Sequence, residues 1–138
     1  MSIRLDPLTT PPFHALSRRD VQDALDSIPP EWRKYARRIR LGTTLPEHGR
    51  FQRPAMTDEY GWNFLLYCRG LTPERAFREM LVEIAAYGIG TGFQRGHALT
   101  TGDIRTLRQV VDPIVVSLVR RKTERDQDSA VKSILEGQ

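Results

Sequence analysis

Apolar residues recur three and four positions apart in several parts of the chain, a spacing that predicts amphipathic helices. The first of these segments carries four apolar residues on one side, at Val21, Ala24, Leu25 and Ile28. Ser17 can cap its first turn, and Asp20, three positions later, completes a capping-box pattern. Because Pro29 and Pro30 stop it, the pattern predicts a first helix over residues 17–28.

Residues 30–41 fit a second, strongly amphipathic helix that begins at Pro30 and ends at Gly42. At 100° per residue, one arc collects the apolar residues Trp32, Tyr35, Ala36 and Ile39. The opposite arc collects the basic residues Arg33, Lys34, Arg37, Arg38 and Arg40. We therefore predict one face that packs against the core and one that meets anions.

Prolines and glycines predict a loop over residues 42–56. The following segment, 57–69, is apolar nearly all round at its centre, from Trp62 to Cys68. Such a run indicates a central buried helix or, as the weaker alternative, a buried strand, because periodicity does not separate the two.

Two further helices have clear starts. Thr72, Pro73 and Glu74 open a helix that runs to about residue 87. Thr100 with Asp103 opens another that runs to about residue 121, with a sharp bend or break expected at Asp112-Pro113. A short terminal helix is expected over residues 129–135.

These elements predict a mainly α protein, a compact single-domain bundle of five to seven helices. Residues 1–16 hold three prolines and no apolar period, so we expect an extended N-terminal arm. The helical domain would cover residues 17–128, and residues 129–138 would form a short C-terminal helix or tail.

Positive charge is concentrated in one stretch of the chain. The chain has 21 basic and 17 acidic residues. The stretch 31–53 alone has seven basic and two acidic residues, a balance of +5, so the remainder sums to about −1. Charges crowded within a screening length of about 8–10 Å raise the local potential. This concentration favours a polyanionic partner.

We therefore predict contacts between the nucleic-acid backbone and the second helix with its following loop, through Arg33, Lys34, Arg37, Arg38, Arg40, His48, Arg50, Phe51 and Arg53. The arginines would bind phosphates, and Phe51 could stack on an exposed base. Two alternatives remain. The patch could dock on an acidic protein surface, making the chain a protein–protein adaptor or inhibitor. It could also be an ordinary solvated face, paired with Asp20, Asp23 and Asp26 of the first helix.

Patterns for chemistry are weak elsewhere. A helix-turn-helix would need a longer connection than Pro29-Pro30, and one cysteine with three scattered histidines gives no zinc finger. Cys68 lies in the most apolar segment, where an inert buried thiol is expected. Glu79 and Glu83 are expected on the solvent side of their helix, as solubility features. We predict no catalytic residue, no metal and no cofactor.

The chain start lacks the apolar core of a signal peptide, and no apolar run reaches the roughly 20 residues of a membrane span. A single cysteine fits a reducing compartment. The sequence thus predicts a non-enzymatic cytoplasmic protein, not bound to membranes, that binds DNA or RNA backbone as an accessory subunit of a larger nucleoprotein complex.

Overall fold

The computed structural model describes residues 2–5, 15–36, 38–42, 55–57, 63–66, 72–89 and 101–137. In chain order these form β1 (Ser2–Leu5), α1 (Arg18–Ser27), a 3-10 helix (Pro30–Tyr35), β2 (Arg38–Gly42), β3 (Ala55–Thr57), β4 (Asn63–Leu66), α2 (Pro73–Ile89) and α3 (Thr101–Glu136). Most of these residues are helical, so the mainly α prediction is confirmed. The predicted number of helices is wrong, because the described ranges hold three α-helices and one 3-10 helix beside a sheet.

The sheet has four strands in the order β1-β2-β4-β3. β1 and β2 run parallel with Ile3 level with Ile39, β2 and β4 are also parallel, and β3 is antiparallel to β4. Parallel neighbours need a crossover connection, and α1 with the 3-10 helix lies in the connection from β1 to β2. The beginning of the predicted N-terminal arm is therefore an edge strand, while residues 6–14 lie outside the described residues.

α1 confirms the first predicted helix. The Ser17 hydroxyl accepts a hydrogen bond from the Asp20 backbone N–H at 3.2 Å, and the Asp20 carboxylate accepts one from the Ser17 N–H at 2.8 Å. This capping box satisfies two N–H groups that the helix itself leaves without partners. Val21, Ala24 and Leu25 are fully buried on the inner face.

The predicted second helix is wrong. Pro30–Tyr35 is a 3-10 helix, and the chain then changes direction at Ala36 and forms β2 over Arg38–Gly42. Within β2, Ile39 and Leu41 are fully buried and alternate with more exposed residues. Burial therefore alternates with a period of two over residues 38–41, whereas the predicted helix has a period of 3.6.

The segment 57–69 was expected to be a helix, with a strand as the weaker alternative, and the strand is correct. β4 spans Asn63–Leu66 and lies between β2 and β3. An apolar run without alternation fits either a buried helix or a strand that is covered on both faces, so the apolar pattern alone did not separate the two. The predicted loop 42–56 is also interrupted, since β3 covers Ala55–Thr57 and residues 43–54 lie outside the described residues.

α2 begins where Thr72 caps it, with the Thr72 hydroxyl accepting a hydrogen bond from the Arg75 N–H at 3.2 Å. It packs against β3, β4, the 3-10 helix and α3, and Phe77 and Leu81 are fully buried. Glu83 corrects a prediction, because it is only 3% exposed rather than on the solvent side. It sits at a buried position within the helix that touches most other elements.

The sequence predicted a sharp bend or break at Asp112-Pro113 and a separate terminal helix. α3 is a single helix of 36 residues, so neither the break nor the separate helix is present. A proline inside a helix costs about 3 kcal/mol. Val111 and Val115 on either side of it are buried in the core, and Arg78 of α2 binds Asp112 with a 3.0 Å ion pair. Tertiary packing therefore keeps the helix continuous at a residue that, from local sequence alone, would be expected to end it.

The core lies between the inner face of the sheet and the three helices. Ile39 and Leu41 of β2, Leu25 of α1, Phe77 of α2 and Leu107 of α3 are all fully buried there. Among the helices in the described ranges, none combines the length and the apolar character needed to cross a bilayer.

Candidate nucleic-acid interface

The structure separates the predicted basic residues onto different elements. Arg33 and Lys34 lie on the 3-10 helix, whereas Arg38 and Arg40 lie on β2. The other predicted contacts lie outside the described residues, namely Arg37, His48, Arg50, Phe51 and Arg53. The continuous helical track of cations predicted over residues 30–41 therefore does not exist in that form.

β2 places Arg38 and Arg40 on the sheet face opposite the core. Arg38 is exposed and Arg40 half-buried, while Ile39 and Leu41 between and beyond them are fully buried. Alternate residues of a strand lie on one face at about 6–7 Å spacing. The two arginines are thus neighbours on one surface because the segment is extended.

Arg4 of β1 joins them, and the sequence analysis missed it. The parallel register sets Arg4 directly level with Arg40, and Arg4 is exposed. Neighbouring strands lie about 4.7–4.9 Å apart. We call Arg4, Arg38 and Arg40 the arginine face. The alternation Ile3-Arg4-Leu5 was the available signal, but three prolines nearby favoured an irregular arm.

Each arginine of this face also interacts within the chain. Strand spacing places the backbones of the three arginines within about 8–10 Å of each other, roughly one screening length, a distance at which the potentials of charged groups add. A phosphate approaching the outer side of the β1–β2 edge meets guanidinium groups that can bind it in a bidentate manner. The arrangement suits anion binding by several donors at once.

The Arg33 side chain contacts α1 and does not belong to the arginine face. It is exposed, and its Nη2 donates a hydrogen bond to the backbone carbonyl oxygen of Asp26 at 3.3 Å. This contact uses a carbonyl of α1 rather than a carboxylate, so it neither neutralises the guanidinium nor links it to the arginine face.

Two of the three carboxylates suggested as neutralising partners of the basic patch, Asp20 and Asp23, bind cations of α3, whereas the Asp26 carboxylate accepts a hydrogen bond from Gln22. Asp20 accepts from Lys122 Nζ at 2.9 Å and from Arg125 at 2.8 Å. Asp23 accepts from Arg121 at 2.9 Å and from Arg125 at 3.0 Å. We call these five residues the α1–α3 ion network. It joins the first helix to the last and uses charges that the sequence pattern had not connected.

The cations of the ion network keep its two carboxylates, Asp20 and Asp23, charged. Burial raises the pKa of Asp20, but hydrogen bonds from the Ser17 N–H, Lys122 and Arg125 outweigh it, and the pKa lies below its usual value. For Asp23 burial is likewise outweighed, by Arg121 and Arg125, so its pKa is lowered. Carboxylates held ionised in this way are poor proton donors near neutral pH.

Burial lowers the pKa of Lys122, but Asp20 and Asp126 raise it to a net value above the ordinary one. The pKa of Arg125 is raised too, because Asp20 and Asp23 outweigh the effect of burial. The network is therefore a structural clamp between helices rather than a site that exchanges protons.

A groove of about 740 Å³ lies beside this network, between β1, α1 and α3. Its lining is Ile3, Arg18, Arg19, Gln22, Asp23, Asp26 and Arg125. The charges are mixed, and Asp23 and Arg125 already bind each other. Among the described residues, the lining offers ionic contacts but no histidine, cysteine or hydroxyl nucleophile, so nothing in that part of the chain indicates covalent chemistry here.

Residues suited to metal binding do not converge within the described ranges, where no group of three His, Cys, Asp or Glu side chains could hold an ion. Cys68 and the three histidines, His14, His48 and His97, lie outside those ranges. No known protein family, curated protein or solved structure is significantly similar to this chain.

Proposed function

We propose that this chain is a non-enzymatic accessory protein that binds the phosphate backbone of nucleic acid through its arginine face. The observation that carries the proposal is the register of β1 and β2, which sets Arg4 beside Arg40 and next to Arg38. Arginine's planar fork suits phosphate, and three such groups on one surface can hold successive phosphates.

The local excess of charge supports the proposal. The stretch 31–53 carries a balance of +5, and Arg38 and Arg40 belong to it. Asp20 and Asp23 bind cations of α3, so they do not neutralise this surface. The contact would extend along the nucleic-acid strand through Lys34, Arg37, His48, Arg50 and Arg53. Phe51 would stack on a base.

The proposed contacts are to the backbone, so sequence preference should be weak and salt dependence strong. Each phosphate contact contributes about 0.7–0.9 to the slope of log affinity against log salt. The arginine face alone should therefore account for a slope of about 2–3.

The test compares two triple variants that remove the same charge. One replaces Arg4, Arg38 and Arg40 by glutamine, and the control replaces the exposed helical arginines Arg75, Arg105 and Arg108 by glutamine. Fluorescence anisotropy with labelled 20-nucleotide DNA, RNA and duplex probes measures affinity between 50 and 300 mM salt. We expect the first variant to lose about 30-fold or more and its salt slope to fall by about 2–3, while the control changes far less.

Equal losses in both variants would mean that overall charge, and not the arginine face, drives binding. Absence of binding by the wild-type chain at low salt would refute the proposal. If the wild-type chain instead forms a stoichiometric complex with an acidic protein that the first variant alone abolishes, the adaptor function is correct.

A further inference from the structure

The second half of α3 carries apolar residues on the side that faces away from the core. Val131, Ile134 and Leu135 are 56%, 65% and 66% exposed, and Val116 is 68% exposed. Val116 and Ile134 are eighteen residues apart, five full turns, so they lie on the same side of the helix. Leu118 faces the core, about 160° around the helix from Ile134.

This part of the helix has little support from the rest of the described chain. Every residue from 126 to 136 is exposed. Most helical stability in proteins comes from packing an apolar face, and an apolar stripe spaced i, i+3, i+4 is typical of a face that packs. We call Val116, Val131, Ile134 and Leu135 the outer stripe.

The charges along the outer stripe match its own reversed copy. Arg120 and Glu124 lie on the same side between Val116 and Val131, and within the described part of the chain neither makes an ion pair. If two copies pair antiparallel about residues 123–124, Val116 lies level with the partner's Val131. Arg120 then lies within reach of the partner's Glu124, and the same contact repeats by symmetry.

We infer that α3 pairs antiparallel with α3 of a second copy of this chain through the outer stripe. A parallel pair would place Arg120 against the partner's Arg120, which is repulsive. An anionic membrane is a poor occupant, because residues 120–136 carry five basic and four acidic side chains and so have almost no net charge. The inference does not depend on nucleic-acid binding.

The contact would be modest. The stripe from Val116 to Leu135 is about 30 Å long, and one helix pair of this length falls below the roughly 1,200–2,000 Å² of standard stable interfaces. We therefore expect a reversible dimer whose dissociation constant lies in the micromolar range, rather than a permanent dimer.

Sedimentation velocity between 5 and 500 µM tests the first part of the inference. We expect the wild-type chain to shift from monomer to dimer and Ile134→Asp to remain monomeric over the whole range. Ser129→Asp adds the same charge about 140° away on the same exposed segment and should dimerise like wild type. A monomeric wild-type chain, or a dimer that survives Ile134→Asp, would overturn the inference.

A charge exchange tests the register. Arg120→Glu and Glu124→Arg should each weaken self-association at least tenfold, because each places like charges opposite one another. An equimolar mixture of the two variants should recover the dimer, since every cross-chain pair is then of opposite sign. Failure of the mixture to associate more tightly than either variant alone would overturn the proposed contacts.

Discussion

Removing the Asp20 side chain should destabilise the fold more than any other single change at a charged residue of α1. Its carboxylate is only 2% exposed and accepts three hydrogen bonds of 2.8–2.9 Å, from the Ser17 N–H, Lys122 and Arg125. Asp20→Ala therefore removes half of the helix cap and two cross-helix ion pairs at once.

The size of the loss follows from those contacts. The cap contributes about 1 kcal/mol, and a buried charge that loses its partner costs about 3–5 kcal/mol. Here neither cation is left alone, because Lys122 keeps Asp126 at 3.0 Å and Arg125 keeps Asp23 at 3.0 Å. We therefore expect a loss of about 2–4 kcal/mol, a large part of the 5–15 kcal/mol that stabilises most domains.

Urea unfolding followed by circular dichroism measures this loss. Asp26→Ala is the matched control, since Asp26 lies on the same helix, is exposed, and its side chain accepts one hydrogen bond, from Gln22. It should cost less than about 0.5 kcal/mol. A double-mutant cycle between Asp20→Ala and Arg125→Ala should give a coupling of about 1–3 kcal/mol. If Asp20→Ala costs no more than the control, the ion network does not stabilise the fold.

Two further outcomes follow from the same contacts. The pKa values of Asp20 and Asp23 are lowered on folding, so the unfolded chain takes up protons first, near pH 4. The stabilisation by the ion network is therefore complete above about pH 5 and declines as the pH falls through the pKa values of the folded state. Urea unfolding midpoints measured between pH 7 and pH 3 should fall less steeply for Asp20→Asn than for wild type. Pro113→Ala should raise the free energy of unfolding by about 1–3 kcal/mol, because it restores a helical backbone N–H at an exposed position. An unchanged or lower melting temperature would contradict this prediction.

The elements that the sequence predicted correctly are those whose signals are local. α1 and α2 have a capping residue followed within a few positions by helix-spaced apolar side chains, and both ends of α1 are marked, by Ser17 and Pro29. The structure of such a segment is determined by residues that are close in sequence, so neighbours along the chain were enough.

The errors arose where partners distant in sequence decide the outcome. Ile39 fits a helical face with Trp32 as well as it fits a strand with Leu41, and pairing with β1 and β4 selects the strand. Pro113 predicts a break in the helix, but the burial of Val111 and Val115 in the core keeps the helix continuous. Because Arg4 and Arg40 become neighbours only through strand pairing, the composition of the candidate interface could not be predicted, although Arg38 and Arg40 were both among the predicted contacts.

The ion network has a consequence for how the chain is made. Asp20 and Arg125 are 105 positions apart, so the buried carboxylate of α1 has no counter-ion from α3 until another 105 residues have been translated. At about 5–20 residues per second that delay is roughly 5–20 s. During this interval α1 is charged and incompletely covered, so its native contacts form only after α3 has been made.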